Sequence, residues 1–332
     1  MGRVAVIDDP SGALVSSVAT ALAPRSVTFY CDHLRAERAV AAYAEAAGSA
    51  IFAATGLDAD LLTDVDLVAL HLPQSLAALD EIAEAIARHA APGVRLVAGG
   101  RVKHMTPAMN RVLRRHFESV RGSLGARKSR ALLAEGPRPA EATTSSYPLR
   151  EWDEDLQLLV CAHGGAFAGS SIDLGTRFLI GCFDRLPATA RHVVDLGCGT
   201  GVLAVAVARQ RPEAEVLAVD DSWSAVRSAR ATAEANGLAD RIRVDRRAGL
   251  EGLPDQSLDL VVCNPPFHRG PAKDSAAAYA MFADAGRALR PGGELWVVYN
   301  SHLPYRAELR RIGHTEIVAQ DPRFTVSRSV AR

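Results

Sequence analysis

Short apolar runs alternate with longer alanine-rich runs along most of this 332-residue chain. In the second half, the apolar run HVVDLGCGTG is followed by VLAVAVARQ, and the apolar run EVLAVDDS is followed by SAVRSARATAEANG. Apolar runs of this length are typical of buried strands, and the alanine-rich runs are typical of helices. Strands that alternate with helices are joined by crossovers, which build a parallel sheet with helices on its faces. The pattern therefore predicts an α/β chain.

The first half of the chain repeats this order of runs. VAVIDDPSGAL aligns with HVVDLGCGTGVL, DLVALHLPQS aligns with DLVVCNPPFH, and the offset stays between 189 and 199 residues. The apolar positions agree, but the polar residues of the second half align with residues of a different kind in the first half. These pairs are Asp195 with Val6, Gly197 with Asp8, Gly199 with Pro10, Asp220 with Cys31, and Asn264 with His71. Two unrelated sheets could also align by pattern alone, but we infer an internal duplication of a Rossmann-like domain, with a degenerate N-terminal copy.

A segment rich in proline, serine and threonine separates the two halves. It reads EGPRPAEATTSSYPLR between Glu135 and Arg150, a composition that is typical of a linker. We therefore predict a degenerate first domain over 1–134, a linker over 135–146 and a catalytic second domain over 147–332.

The composition is that of a globular protein, with 48% hydrophobic and 23% charged residues. No apolar run reaches the roughly 20 residues of a membrane span. The N-terminal MGRVAVIDDPSG lacks the sections of a signal peptide. We therefore expect a cytoplasmic protein with no membrane partner. The five cysteines form no CxxC and no Cys/His cluster with zinc spacing, so we expect reduced thiols and no metal.

Basic residues cluster between Arg111 and Arg130, although the formal net charge of the chain is zero. The cluster holds seven Arg or Lys residues, including Arg127, Lys128 and Arg130, against one Glu. A basic stripe within a neutral protein can bind phosphate groups. The alternative is that it forms the solvated face of a helix.

The apolar run LDLVVC ends at Asn264-Pro265-Pro266-Phe267. Because proline has no N–H for the sheet, the two prolines could simply mark a turn. The alternative is that they hold two acceptors at the strand end, namely the side-chain oxygen of Asn264 and the carbonyl of Pro265. Two such acceptors can bind an –NH2 group through both of its protons.

Glycines follow another strand of the second half in Asp195-x-Gly197-x-Gly199-x-Gly201. Glycine permits unusual backbone conformations and close approach of a ligand. A dinucleotide enzyme also has glycines there, but Asp195 would then face phosphates. S-adenosylmethionine has an ammonium group, a sulfonium and a ribose, and no phosphate. Together with Asn-Pro-Pro-Phe, the motif therefore predicts an S-adenosylmethionine site with Asp195 near the ammonium, directly or through water, and Asp220 on the ribose hydroxyls.

Several motifs resemble one known family. They are SYPLREW, GGAFAGSSIDLGTRFLI, VVDLGCGTGVLAV, CNPPFH, AYAMF, GGELWVVYNSHLPY and RFTVSRSVAR, which cover almost all of 145–332, and GARKSR in the first half. On these motifs the chain resembles the bacterial ribosomal RNA guanine-N2 methyltransferases of the small-subunit (RsmC) and large-subunit (RlmG) types, and it is closer to the latter. The resemblance implies a degenerate methyltransferase-like domain followed by an active methyltransferase domain.

The resemblance also implies roles for further residues. Asp173 and Thr176 in IDLGTRF would flank the methionine end of the cofactor, although Asp173 also has the position of a helix N-cap. Ala248 stands where many relatives have an Asp or Asn that accepts from adenine, so adenine recognition there would use the backbone. Phe267 would stack on the target base, and His268 would contact the substrate or be a turn residue.

These observations predict transfer of a methyl group to the exocyclic amine of an unpaired or flipped guanine in ribosomal RNA. The family resemblance implies that this RNA belongs to the large ribosomal subunit. Asn264, Pro265 and Phe267 would be the catalytic residues. The first domain would bind RNA through the basic residues Arg127, Lys128 and Arg130. We expect the protein to be a monomer. The alternatives are small-subunit RNA, adenine N6, the glutamine amide of a release factor and, in a different class, a non-catalytic RNA-binding protein.

Overall fold

The computed structural model describes residues 2–47, 50–139, 144–266 and 275–332. The chain forms two compact units. The first unit comprises Met1–Pro148 and His163–Gly165, and the second comprises Leu149–Ala162 and Ala166–Arg332. Each unit is built around a seven-stranded sheet.

The first unit alternates strands and helices and ends in an antiparallel hairpin. Its strands are β1 (Arg3–Ile7), β2 (Ser26–Tyr30), β3 (Ile51–Ala53), β4 (Val65–His71), β5 (Arg95–Arg101), β6 (Phe117–Gly122) and β7 (Ser129–Pro137). Its helices are α1 (Ala13–Leu22), α2 (Leu34–Ala47), α3 (Ala59–Leu62), α4 (Leu76–His89) and α5 (Pro107–His116), with a short 3-10 helix at Val102–His104. The strand order is β3-β2-β1-β4-β5-β7-β6, and β7 is antiparallel to β5 and β6.

The second unit begins with a two-stranded hairpin, which is followed by a second seven-stranded sheet. Its strands are β8 (Leu149–Asp153), β9 (Leu158–Ala162), β10 (His192–Leu196), β11 (Glu215–Asp220), β12 (Ile242–Arg246), β13 (Leu258–Cys263), β14 (Leu289–Asn300), β15 (Gly313–Gln320) and β16 (Phe324–Ala331). Its helices are α6 (Leu174–Ile180), α7 (Val202–Gln210), α8 (Trp223–Ala235), α9 (Ser275–Ala288) and α10 (Tyr305–Leu309), with a short 3-10 helix at Phe183–Arg185.

The two seven-stranded sheets have the same strand order. The second runs β12-β11-β10-β13-β14-β16-β15, with β16 antiparallel to β14 and β15. The predicted fold class of two tandem Rossmann-like domains is therefore confirmed, and so is the closing hairpin of the second half. Among the helices of the described ranges, none has both the length and the hydropathy that a membrane crossing needs.

The core of the second unit shows where a ligand site can form. Helices α7 and α8 pack on one face of the sheet against residues such as Val193, whereas α9 packs on the other face against residues such as Val194. The chain therefore changes sides between the neighbouring strands β10 and β13. In open α/β sheets, the carboxyl ends of the strands at such a switch form a ligand-binding crevice.

Two boundaries differ from the sequence prediction. Helix α9 ends at Ala288 instead of at the Pro-Gly-Gly that follows it, because β14 already pairs with β13 at Leu289. The predicted linker over 135–146 begins inside β7, because Glu135 pairs with Arg95 of β5 and Pro137 pairs with Phe117 of β6.

Candidate cofactor and substrate site

The glycine turn after β10 requires left-handed backbone at three positions. The φ angles are 75° at Gly197, 52° at Gly199 and 80° at Gly201, in a region that other residues rarely adopt. A Cβ atom at Gly201 would lie 2.9 Å from Ala229 of α8, so this glycine also serves close packing of two helices. Among the described residues, a Cβ atom at Gly199 would meet nothing within 4 Å, so the main chain there borders open space within that part of the chain. Gly199 is thus the point at which a ligand can approach the backbone.

Asp195, at the end of β10, is completely buried. Its Oδ2 accepts a hydrogen bond from the backbone N–H of Ala204, in the first turn of α7, at 2.9 Å. Its Oδ1 is buried and has no hydrogen-bond partner among the described residues. Burial, with a smaller contribution from the charge of Asp220, raises the pKa of Asp195 to about 7. The sequence predicted the contact with the cofactor but missed this role in capping a helix.

Asp220 ties the glycine turn to the end of β11. Its Oδ2 accepts from the backbone N–H of Gly199 at 3.1 Å, and its Oδ1 accepts from that of Ser222 at 3.0 Å. Each carboxylate oxygen can accept more than one hydrogen bond. Asp220 is therefore held beside the point where the glycine turn borders open space, and its contact with the ribose stays a prediction.

The loop after β12 is also joined to this edge. The backbone N–H of Arg247 donates to the carbonyl of Asp220 at 2.8 Å, and Ala248 is exposed. Alanine offers no side-chain acceptor, so any adenine contact from this position uses the backbone.

Asn264 directly follows β13, and the Nδ2 end of its side-chain amide is held by hydrogen bonds. Its Nδ2 donates to Oδ2 of Asp173 at 3.0 Å and to Oγ1 of Thr176 at 2.9 Å. Its Oδ1 is buried and has no hydrogen-bond partner among the described residues. Pro265 is buried and Pro266 is exposed. The amide oxygen of Asn264 is thus an unused acceptor at the carboxyl end of the sheet.

Asp173 is the N-cap of α6, which confirms the helix-cap interpretation. Its Oδ2 accepts from the backbone N–H groups of Gly175 at 2.9 Å and Thr176 at 3.1 Å. The sequence motif IDLGT indicated the cap, but it did not indicate the contact with Asn264, 91 residues away. The predicted residues Phe267 and His268 lie outside the described residues.

The basic residues Arg127, Lys128 and Arg130 lie on the β6–β7 hairpin, so the helix-face alternative is wrong for them. Ala126 and Ser129 bond to each other through both backbone pairs, and Arg127 and Lys128 form the two-residue turn between them. Their φ angles are 49° and 63°, and both side chains are exposed. Hairpin turns of this kind favour Asn and Gly. An Arg-Lys pair there places two cations at the tip at a cost in backbone energy.

Acidic, His and Cys side chains of the described residues form no group that could hold a metal ion. The candidate site of the second unit thus consists of a glycine turn, a fully buried carboxylate (Asp195), a partly buried carboxylate (Asp220), and an amide oriented by the start of α6.

Comparisons with known proteins place both halves in one family. Residues 157–328 match the model "Methyltransferase small domain", and residues 1–138 match the model "RLMG N-terminal domain". The "Ribosomal RNA large subunit methyltransferase G" of Streptomyces coelicolor is 39% identical, over 99% of this chain and 88% of that protein. The protein of the same name from Pseudomonas syringae pv. tomato is 37% identical, over 98% of this chain and 86% of that protein.

A solved structure shares the fold of the whole chain. It is described as "T. Thermophilus 16S rRNA N2 G1207 methyltransferase (RsmC) in complex with AdoMet and Guanosine" and has a TM-score of 0.81 at 24% identity. The likeness covers 100% of this chain and 89% of that one. The predicted resemblance, closer to the large-subunit type, is thus confirmed. The chain belongs to the ribosomal RNA large subunit methyltransferase G family.

Proposed function

We propose that this protein transfers a methyl group from S-adenosylmethionine to the exocyclic N2 of a guanine in 23S ribosomal RNA. The observation that carries the proposal is the Asn264 amide, whose Nδ2 is bound within the protein while its buried Oδ1 has no partner among the described residues. A buried acceptor without a partner is costly, and a donor from the substrate removes that cost. The names of the relatives support ribosomal RNA of the large subunit as the substrate.

The residues around the glycine turn fit the cofactor. Oδ1 of Asp195 is a buried acceptor without a described partner, which suits the ammonium group, and the open space at Gly199 leaves room beside the main chain. Asp220 would hold the ribose hydroxyls, and Gly197 would let the backbone pass close to the ligand. When bound, S-adenosylmethionine supplies an electrophilic methyl group on its sulfonium.

The chain itself would supply orientation. The lone pair of guanine N2 is delocalised into the ring, which makes this nitrogen a poor nucleophile. Oδ1 of Asn264 and the carbonyl of Pro265 would accept its two protons and turn the lone pair toward the methyl group. Most of the rate would then come from alignment of nitrogen, methyl carbon and sulfur. Phe267 would stack on the base.

The catalytic domain would span 147–332, and the first domain, predicted over 1–134 and completed by β7 to Pro137, would bind RNA. The hairpin tip supports this assignment, because Arg127 and Lys128 keep two exposed cations in a turn that disfavours them. We infer further that the protein acts as a monomer in the cytoplasm, and sedimentation of the purified chain tests the oligomeric state.

The product decides between this function and its alternatives. Ribosomal RNA from cells that lack the protein would be incubated with the full chain and labelled cofactor, digested to nucleosides and analysed by mass spectrometry. We expect N2-methylguanosine in 23S RNA, with RNA from complemented cells as the unreactive control. N6-methyladenosine would contradict the guanine assignment, label in 16S RNA would contradict the subunit, and methylglutamine in a protein would contradict RNA as the substrate.

A further inference from the structure

Asn264 can offer its substrate only an acceptor. A side-chain amide has two N–H donors and one carbonyl acceptor, so in isolation it can face a ligand with either end. Here Nδ2 of Asn264 is 3.0 Å from Oδ2 of Asp173 and 2.9 Å from Oγ1 of Thr176. Both amide protons are therefore used inside the protein. Only Oδ1 is left for the substrate.

The opposite orientation of the amide is unfavourable for an electrostatic reason. Rotation by 180° would bring Oδ1 of Asn264 against Oδ2 of Asp173. A carboxylate accepts hydrogen bonds and does not donate them, so two acceptors would face each other in a half-buried place. Leaving such groups unpaired costs more than a typical hydrogen bond contributes. Asp173 thus selects one of the two orientations of Asn264.

The first turn of α6 holds this arrangement in place. The same Oδ2 of Asp173 accepts from the backbone N–H groups of Gly175 and Thr176, so three donors meet at one oxygen. A negative charge beside Nδ2 also polarises the amide and increases the negative partial charge on its oxygen, as hydrogen-bond chains do. The cap therefore fixes the direction of the Asn264 oxygen and strengthens it as an acceptor.

We propose that Asp173 and Thr176 are positioning residues that make Asn264 an obligate acceptor, so that the site takes a nucleophile bearing N–H and rejects a carbonyl oxygen in the same place. This inference rests on the proposed function, because it explains why an amine is selected. It differs from the contact with the methionine end of the cofactor that the family resemblance implies for both residues.

The first test follows the amide directly, without substrate. The chain contains four asparagines, Asn110, Asn236, Asn264 and Asn300, so labelling with 15N-asparagine gives four side-chain amide pairs. Replacing Asn264 assigns its pair. In Thr176→Val, we expect the amide protons of Asn264 to exchange with solvent at least about tenfold faster than in the wild type, because one of two internal bonds is lost. An unchanged exchange rate would overturn the proposal.

The second test measures turnover of the full chain with RNA and cofactor both saturating. Thr176→Val keeps the shape of the side chain and removes the acceptor, so we expect kcat to fall about three- to tenfold. Thr176→Ser keeps the hydroxyl and is the matched control, so most of the lost turnover should return. Equal losses in the Val and Ser variants would overturn the proposal.

Asp173→Asn separates positioning from cofactor binding. Asparagine is also a good N-cap, so α6 should keep its first turn while the charge is lost. We expect kcat to fall by more than the affinity for S-adenosylmethionine, measured by calorimetry. A loss of cofactor affinity that equals or exceeds the loss of kcat would overturn the proposal in favour of a cofactor ligand. If the proposed RNA substrate is wrong, the wild type shows no turnover, whereas the amide exchange still decides the positioning role.

Discussion

The two units cap the same helix position with a carboxylate, but they use the second oxygen of that carboxylate differently. In the first unit, Oδ2 of Asp9 accepts from the N–H of Val15 at 2.9 Å. In the second unit, Oδ2 of Asp195 accepts from the N–H of Ala204, also at 2.9 Å, and Ala204 is the counterpart of Val15 at an offset of 189 residues. The fold therefore needs a carboxylate at this helix terminus in both units.

The second oxygen distinguishes the two copies. Oδ1 of Asp9 accepts from the N–H groups of Ser11 and Gly12, at 3.1 and 3.0 Å, so the carboxylate of the first unit is fully used by its own loop. Oδ1 of Asp195 has no partner among the described residues. Ligand binding needs an acceptor that the fold leaves unsatisfied, and only the second unit has kept one here.

The ends of β4 and β13 show the same contrast. After His71, the N–H of Leu72 continues the sheet by donating to the carbonyl of Gly99 at 2.8 Å. Pro265 stands at the matching position after Asn264 and has no N–H to donate. The sheet pairing therefore stops earlier in the second unit. The residues that follow β13 form the Asn-Pro-Pro segment and do not extend the sheet.

Asn264→Ala should produce the largest effect. It removes an acceptor that is used in methyl transfer, so kcat should fall about 100- to 1,000-fold, while calorimetry should show cofactor affinity near that of the wild type. His71→Ala is the matched control in the first unit and should leave turnover unchanged. Substantial turnover by Asn264→Ala with saturating RNA would remove the amine-orienting role, and a comparable loss in His71→Ala would erase the contrast between the units.

Asp220→Ala should weaken cofactor binding about ten- to a hundredfold, which is the range expected when hydrogen bonds to a charged acceptor are lost. Calorimetry measures this affinity directly. Cys31→Ala changes the counterpart position in the first unit and should leave the affinity as it is. Equal affinities of Asp220→Ala and the wild type would show that this carboxylate serves only the glycine turn.

The pH dependence of stability and binding should identify Asp195. Burial raises its pKa from 3.8 to about 7, so the folded second unit retains a proton that the unfolded chain releases. This contribution to stability is present below about pH 4 and is lost as the pH rises through about 7. If the ionised carboxylate binds the cofactor ammonium, cofactor affinity should rise about tenfold between about pH 6 and 8.

Asp195→Asn keeps an oxygen for the Ala204 N–H and cannot ionise, so it should flatten the binding profile and weaken the pH dependence of stability. Part of the stability profile should remain, because burial also raises the pKa of Asp8 in the first unit, to about 6. Asp9→Asn is the control in the first unit and should leave the binding profile unchanged. Cofactor titrations at several pH values, and thermal unfolding in the same buffers, measure the two profiles. Parallel profiles for the wild type and Asp195→Asn would show that other groups govern the pH dependence.

The hairpin tip should give the smallest effect, and stability and binding should change in opposite directions. Replacing Arg127 by Asn and Lys128 by Gly relieves left-handed strain, so the protein should gain about 1 kcal/mol of stability. If both cations contact phosphates, RNA affinity should fall and the salt slope should decrease by roughly 1.4 to 1.8. Chemical unfolding and filter binding at several salt concentrations test this. An unchanged salt dependence of RNA affinity would show that Arg127 and Lys128 lie on a solvated surface and contact no phosphate.

The fold and part of the site could be predicted from sequence because the signals are local. The strands β10, β11 and β13 are apolar runs that stop at Asp195, Asp220 and Asn264, and glycines mark the turn. Contacts between distant residues could not be predicted. Asn264 meets Asp173 and Thr176 across 91 and 88 residues, and no local pattern records that pairing. The bond from Asp195 to the Ala204 N–H spans only nine residues, but it depends on how the glycine turn folds back, which the sequence pattern does not specify.

The carboxylate that caps the helix after β1 or β10 stands at a different aligned position in each unit, and the sequence alignment therefore missed its counterpart in the first unit. Alignment pairs Asp195 with Val6, and on that basis the first copy has lost the residue. The structure shows that Asp9, three positions later, caps the same helix position, so the structural role persisted while the open oxygen was lost. A residue-by-residue alignment cannot detect such a replacement because it compares positions and not hydrogen bonds.

The stoichiometry of cofactor binding tests the central contrast most directly. Calorimetric titration of the intact chain with S-adenosylmethionine should show one site per chain, with fragment 147–332 binding one equivalent and fragment 1–138, which keeps all of β7, binding none. The first unit lacks counterparts of Gly199 and Asp220, and both oxygens of its capping carboxylate are already bonded. Two equivalents bound by the intact chain, or any binding by fragment 1–138, would contradict the conclusion that only the second copy kept the site.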